Sequence, residues 1–348
     1  MVELITVEGP LEPRMLRSIA DLYGRAEPKY LRDDVLEHLF VKSPGGSGLH
    51  AFALDGGRPV GHCAVVPMRA RRGTAELRCG KLEALFVEEA YPGRRPGRQP
   101  VVLDLLDRLY SCADERGVEL IHALVTPRIG RVIGFLPLEG VGARTLVTVT
   151  STGTHAALDT RLHMRALAGA QGAVRELGFA IAKLAVRQSG ETKLRAPTAD
   201  DADLAEAQPV LPGRWTVVAE DAWDWYRSSP LLRVLEIAGP DGCRALLQVP
   251  GAPGEPVRVI GWRPARTGLV PAFLLLGATG RLARRNGATT LRFQPWASPA
   301  GNGTLERACR LLGFVARRDV TTLWVRTHDA ELARADAVVP TPLLYLGF

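Results

Sequence analysis

The residues best suited to chemistry lie between Lys81 and Arg98. Lys81-Leu82-Glu83-Ala84-Leu85-Phe86-Val87 reads as an apolar strand carrying one ammonium and one carboxylate. Glu88-Glu89-Ala90-Tyr91-Pro92-Gly93-Arg94-Arg95-Pro96-Gly97-Arg98 follows as a Gly/Pro/Arg loop that leads into a helix at Val101. Glycine lets a backbone approach phosphate closely, the free N–H groups and dipole of a helix start favour an anion, and arginine forks bind phosphate oxygens in pairs. A phosphate-bearing ligand suits this loop, and a solvated basic turn is the plainer alternative. Glu83 alone reads equally well as a strand-edge carboxylate paired with Lys81 or Arg78.

Other reactive types show no such grouping. His38, His50, His62, His122, His155, His163 and His328 lack metal-ligand spacing, so no metal is expected. They read as surface or satisfied core residues, although His62 and His122 fall on predicted strands and could line a central cleft. Cys63, Cys79, Cys112, Cys243 and Cys309 are odd in number and scattered, without a CxxC pair, which points to neither a disulfide framework nor a zinc knuckle. Trp223, Trp225 and Tyr226 form an aromatic cluster that reads first as domain packing and otherwise as a wall on which a substrate could stack. No P-loop, dinucleotide GxGxxG or G-x-S-x-G elbow is present.

The elements that must hold these groups follow from periodicity. Val2–Val7 predicts a strand, and Leu16, Ile19, Ala20, Leu22 and Tyr23 have helical spacing. His50–Leu54 and Pro59–Met68 predict a hairpin across Asp55-Gly56-Gly57. Strand 75–87, helix 101–116 ended by Gly117, strand 118–125, an irregular helix, a break at Gly140 and strand 145–150 complete the order, which predicts a mixed sheet with helices on both faces. Residues 161–188 predict an Ala/Leu-rich helical crossover, and 195–213 an exposed acidic linker.

A length of 348 residues suits two domains, and 46% hydrophobic with 23% charged residues is globular composition. No segment has the roughly 18 uncharged apolar residues needed to cross a bilayer. Nor does the N-terminus resemble a secretory signal, so a reducing cytoplasm is the expected setting. Of 44 basic residues only Lys29, Lys42, Lys81, Lys183 and Lys193 are lysines, leaving 39 arginines and a net charge of +7. That excess reads either as a surface for a phosphate-rich partner or as the codon bias of a GC-rich genome. The second half repeats the first: Ser43-Pro44 against Ser229-Pro230, Gly117 against Gly287, and Gly140-Val141 against Gly313-Phe314. The boundaries expected are a first domain at 1–155, a crossover and linker at 156–213, and a second domain at 214–348.

The run from Lys81 to Arg98 resembles motif A of the GNAT (Gcn5-related N-acetyltransferase) family, in which a strand ending L-x-V precedes R/Q-x-x-G-x-G/A and a helix. The two-copy layout is similar to tandem GNAT proteins and to Fem-type transferases. The fold class implied is α/β (mixed α+β): two tandem GNAT-like domains, each a mixed, mostly antiparallel sheet. The resemblance also implies an N-acyltransferase that moves an acyl group from acyl-CoA or acetyl-CoA to the amine of a small molecule, within specialised metabolism. The donor arm would lie along a splayed strand against Leu85, Phe86 and Val87, with its phosphates at Gly93, Arg94, Arg95, Gly97 and Arg98. Glu83 would take the amine's proton, and an N–H near Phe86 or Val87 would face the developing oxyanion. Pro92 and Arg95 depart from the loop pattern, and Gly97 falls on a family glycine. The family's acid is a Tyr four residues before a Leu-Gly-Phe glycine; counting back from Gly140 and Gly313 gives Leu136 and Cys309. Residues 258–280 lack the loop motif, so the second copy is expected to be degenerate. Two alternatives stand beside this: aminoacyl or acyl transfer from a charged tRNA or an acyl carrier protein, and a non-catalytic binding protein with this fold.

Overall fold

The computed structural model describes residues 2–24, 31–43, 46, 48–72, 74–91, 100–137, 145–149, 177, 180, 193–196, 215–217, 220–238, 243–250, 256–263, 268–288, 290–293, 303–317, 322–333 and 338–339. The chain divides into two compact units. Unit 1 is Met1–Val141 with Leu211–Leu231 and Val320–Phe348, and unit 2 is Gly142–Val210 with Leu232–Asp319.

Unit 1 begins with β1 (Val2–Glu8), α1 (Pro13–Tyr23) and α2 (Asp33–Phe40). Pro13 stands in the first turn of α1, where its missing N–H costs nothing, and Ile19, Ala20, Leu22 and Tyr23 form the buried stripe. β2 (Leu49–Asp55) and β3 (Arg58–Arg72) make the predicted hairpin, with Asp55 opposite Arg58. Both turn residues, Gly56 and Gly57, have positive φ, as a primed two-residue turn demands. Next come β4 (Ala75–Val87), α3 (Val101–Glu115), β5 (Leu120–Val125), α4 (Pro127–Val132) and β6 (Leu136–Pro137). The sheet order is β1-β2-β3-β4-β5-β15-β6, where β15 (Thr322–Thr327) comes from the far end of the chain. β9 (Trp215–Val217) adds to the outer part of β3, β16 (Val338–Val339) pairs with β9, and α5 (Glu220–Arg227) also belongs to this unit.

Side chains alternate across this sheet. Leu49, Ala51, Cys63, Val65, Leu82, Ile121 and Ala123 point to the face under α3, where Leu105, Leu106 and Leu109 complete the core. The opposite face carries His50, Phe52 and His62; Tyr23 of α1 lies against His62, and Phe40 of α2 against His50 and His62.

Unit 2 repeats the arrangement with β8 (Lys193–Arg195), β10 (Leu232–Ala238), β11 (Arg244–Pro250), β12 (Val257–Arg263), α6 (Leu269–Arg285), β13 (Thr290–Phe293), α7 (Gly303–Leu311) and β14 (Val315–Arg317). Its order is β8-β10-β11-β12-β13-β7-β14, and β7 is Thr145–Val149. Position by position this is the unit 1 sheet, with the sixth strand exchanged: β7 completes unit 2 and β15 completes unit 1. The boundaries read at 155 and 214 therefore do not follow the units, because 145–149 pairs in the second sheet and 322–327 in the first. The physical reason is that β5 and β13 each need an antiparallel partner for their free edge, and two similar copies offer interchangeable strands. Periodicity finds a strand but carries no information on which copy it completes.

The glycines that end helices mark the repeat. Gly117 follows α3 and Gly287 follows α6, at φ +69° and +71°. Gly313 follows α7 at φ +71°, and its counterpart after α4 is Gly134 at φ +74°, not Gly140. Ile133-Gly134-Phe135 thus matches Leu312-Gly313-Phe314, whereas Gly140 lies outside the described residues. The predicted crossover at 161–188 also lies outside them, apart from 177 and 180. Among the described residues no helix is long and apolar enough to cross a membrane.

Candidate functional site

β4 and β5 run parallel, and their ladder spans only three pairs, Cys79–Leu120, Gly80–Ile121 and Lys81–His122. Both strands continue beyond it, β4 to Val87 and β5 to Val125. On its other edge β4 stays paired with β3, and β5 with β15. The two strands therefore part after Lys81 and His122, leaving edge amides and carbonyls of Leu82–Val87 unengaged by β5.

A bulge sits at the opening. Ala64 pairs with Glu83 and His62 with Phe86, so Ala84 and Leu85 together oppose Cys63. Ala84 has φ +57°, the only non-glycine with positive φ among the described residues. A left-handed residue of this kind costs on the order of 1–2 kcal/mol, and bulges of this kind bend and twist the strand that carries them. Here the bulge lies three residues past the last rung that β4 shares with β5.

Glu83 stands one residue before this bulge. Lys81 and Glu83 lie two apart, on the face opposite Leu82 and α3, and Lys81 Nζ is 2.6 Å from Glu83 Oε2. Their side chains are 9% and 11% exposed, so the pair is nearly desolvated, and each charge depends on the other. Glu83 is thus held by Lys81, one of the two partners that its neighbours in sequence offered. Of the residues expected along the donor arm, Leu85 and Val87 pack against the core under α3, and Phe86 projects the other way, with its ring 5.1 Å from that of Tyr23. The far end of β4 is tied down by a two-bond pair from Arg58 to Glu88 (2.6 and 2.8 Å) and by the Tyr91 hydroxyl donating to Asp55 (2.5 Å). Gly93, Arg94, Arg95, Gly97 and Arg98 lie outside the described residues. α3 then starts after Pro100 with no side-chain cap.

His122 stands directly across from Lys81 at the last rung of the ladder. Only 1% exposed, its two ring nitrogens have no hydrogen-bond partner among the described residues. Burial, with a further push from the Lys81 ammonium, lowers its pKa to about 3, so the ring is neutral. Sequence gave a hint of His122 as a cleft-lining residue, but its lack of partners is a property of packing and has no sequence signal.

A second histidine cluster lies on the same face. Tyr23 donates its hydroxyl proton to the His62 carbonyl oxygen (3.0 Å) and lies 3.2 Å from His62 Nδ1, while His50 Nδ1 is 3.2 Å from His62 Nε2. If the tyrosine proton goes to that carbonyl, Nδ1–H of His62 donates to Tyr23 and Nδ1–H of His50 donates to His62. Phe40 and Phe52 close around them, and burial lowers the pKa of His50 to about 4. These two are core residues, as the plainer sequence reading has it.

The position of the family's acid moves with the glycine. Four residues before Gly134 stands Gly130, not Leu136, and the indole of Trp324 lies so close that a Cβ at Gly130 would overlap it. No tyrosine fits there. Leu136 is half exposed in β6, and Cys309 is fully buried. Among the described residues no group of three His, Cys, Asp or Glu is placed to hold a metal.

No family model and no curated protein matches the sequence. Solved structures do. A probable N-acyltransferase from Enterococcus faecalis V583 superposes with a TM-score of 0.59 at 8% identity, covering 95% of this chain and 74% of that one. A tandem GNAT protein from the clavulanic acid biosynthesis pathway gives 0.54 at 11% identity, with 94% and 98% covered. The N-myristoyltransferase of Saccharomyces cerevisiae, solved with myristoyl-CoA, gives 0.55 at 10% identity, with 94% and 79% covered. At these identities the likeness is one of fold, and that fold is the one read from motif A and the repeat: two GNAT-like copies in tandem.

Proposed function

We propose that the protein is an N-acyltransferase that moves an acyl group from acyl-CoA to the amine of a small-molecule acceptor, with the chemistry in unit 1. The observation that supports it is the parting of β4 from β5 after Lys81, sharpened by the Ala84 bulge. An amide-rich arm such as pantetheine needs unpaired backbone groups over several residues, and this opening supplies them. The residues before α3 would take the phosphates, through Gly93, Gly97 and the guanidinium groups of Arg94, Arg95 and Arg98.

Glu83, steadied by Lys81, takes the proton of the attacking amine. The amine nitrogen adds to the thioester carbonyl carbon, an N–H near Phe86 or Val87 faces the oxyanion, and the C–S bond breaks as the carbonyl re-forms. The thiolate takes its proton from water, since Gly130 offers no acid. The acceptor approaches from the Glu83 face, because the α3 face is filled by the core. The E. faecalis protein's description as a probable N-acyltransferase and the yeast enzyme's bound myristoyl-CoA point the same way.

The test is calorimetry of the purified chain with acetyl-CoA, followed by thiol release with a series of primary amines. Binding in the micromolar range is expected, and Glu83→Gln should slow transfer about 100-fold while leaving donor affinity unchanged. A chain that neither binds nor is stabilised by acetyl-CoA overturns the reading. Binding of aminoacyl-tRNA with a steep salt dependence would then favour transfer from a charged tRNA.

A further inference from the structure

A donor arm that enters between β4 and β5 from the α3 end must finish where the strands close, at Lys81 and His122. The acyl group is the deepest part of such a ligand. At that closing point stand an ion pair already engaged with itself, Lys81 with Glu83, and an imidazole with two idle nitrogens.

An imidazole buried with neither nitrogen paired forfeits its hydrogen bonds to water and gains none in return, a cost of about 1–3 kcal/mol for each buried polar atom left without a partner. Such a group calls for an explanation, and a bound ligand that supplies the partner is one. The contrast with the neighbouring histidines is instructive. His62 uses both ring nitrogens and His50 uses one, in a sealed aromatic core. His122 uses none among the described residues, at the rung where β4 and β5 part.

We propose that His122 is a hydrogen-bond donor to the acyl oxygen of the thioester, acting beside the backbone N–H on β4. This rests on the donor reading above. Three features suit the role. A ring that stays neutral keeps one N–H to give without adding a charge that the site would have to desolvate. Lys81, across the ladder, opposes protonation of the ring and so maintains that state. The side chain is held on a central strand paired with β15 on its other edge, so its position is fixed before the ligand arrives. A neutral imidazole aimed at developing negative charge stabilises it without a proton changing hands.

The experiment uses the full chain with its histidine rings labelled with nitrogen-15, and compares acetyl-CoA with CoA. His122 ring signals are assigned by their loss in His122→Phe. Acetyl-CoA should move them and CoA, which lacks the acyl oxygen, should move them far less. By calorimetry His122→Phe should weaken acetyl-CoA about tenfold and CoA less than twofold, and His122→Asn, which keeps an N–H donor, should recover part of the difference. Acetyl-CoA that binds while the His122 signals stay still overturns this proposal and leaves the donor reading intact. A chain that binds no acetyl-CoA overturns both. Should His122→Phe fail to fold, assignment by His122→Asn and the titration of the unaltered protein still decide.

Discussion

The two units share one scaffold and differ at a few register positions. In both, the fourth strand pairs in parallel with the fifth for three residues and runs on past the last rung: β4 against β5, and β12 against β13. Both carry a bulge close to that point, at Ala84 in unit 1 and between Val259 and Gly261 in unit 2. What differs is the side chains at these positions. Lys81 and His122 of unit 1 correspond to Arg258 and Arg292 of unit 2, and the place of Glu83 falls at Ile260-Gly261. The three-rung parallel ladder and its bulge occur in both units, while the Lys81–Glu83 pair has no counterpart among the described residues of unit 2. The scaffold and the charged groups set on it are thus specified by separate residues.

The largest effect expected from this comparison concerns the exchanged strands. Trp324 of β15 covers Gly130, and in unit 2 the matching places are Leu146 of β7 and Cys309 of α7. The sequence thus sets a large residue and the smallest at these two places in one copy, and two residues of middling size in the other. Trp324→Ala should cost about 3–5 kcal/mol in urea unfolding, the usual range for emptying a buried aromatic site. Trp324→Leu should cost less, and Gly130→Cys alone should destabilise by forcing Trp324 aside. Together they should recover at least half of the summed loss, since a thiol at 130 would fill part of the space that the indole leaves. Strictly additive losses would mean that the two copies do not pack by the same rule.

A smaller effect separates the units by pH. His50 and His122 have folded pKa values of about 4 and about 3, below the ordinary 6.5, because burial disfavours the charged ring. The unfolded chain then binds more protons than the folded one between those values, so stability falls as pH falls through that window. Between pH 6.5 and 5.5 these two rings alone should remove about 2 kcal/mol. All the described histidines belong to unit 1, so amide exchange, taken relative to its intrinsic rate at each pH, should accelerate there first on mild acidification. Exchange rising equally in both units would break the link between these rings and the loss.

Much of this was legible in the sequence because it rests on local pattern. The Asp55-Gly56-Gly57 turn, the helix ended by Gly117 and the strand containing Glu83 each declare themselves within a few residues, and motif A located the opening. What escaped were relations between distant segments. The exchange of β7 and β15 is invisible to periodicity. The pairing of Gly134 with Gly313 was hidden by a nearer-looking match at Gly140, and only the shared positive φ identifies it. Lys81 was readable as the partner of Glu83, two residues away in a strand. The isolation of His122 was not, since it depends on what β3, β4 and β15 place around it.

The smallest expected effect tests the bulge that both units share. Ala84 is left-handed at φ +57°, a conformation glycine adopts freely and alanine does not. Ala84→Gly removes that strain but adds freedom to the unfolded chain, so the net gain should be about 0.5–1 kcal/mol, with the opening and any donor binding unchanged. Ala84→Val works in the opposite sense, since a branched Cβ is poorly tolerated at positive φ. Relief of the strain would show as a raised urea midpoint with an unchanged slope. A glycine variant less stable than the parent would mean that Ala84 sits comfortably and that the parting of β4 from β5 is held by the β3 and β15 pairings alone.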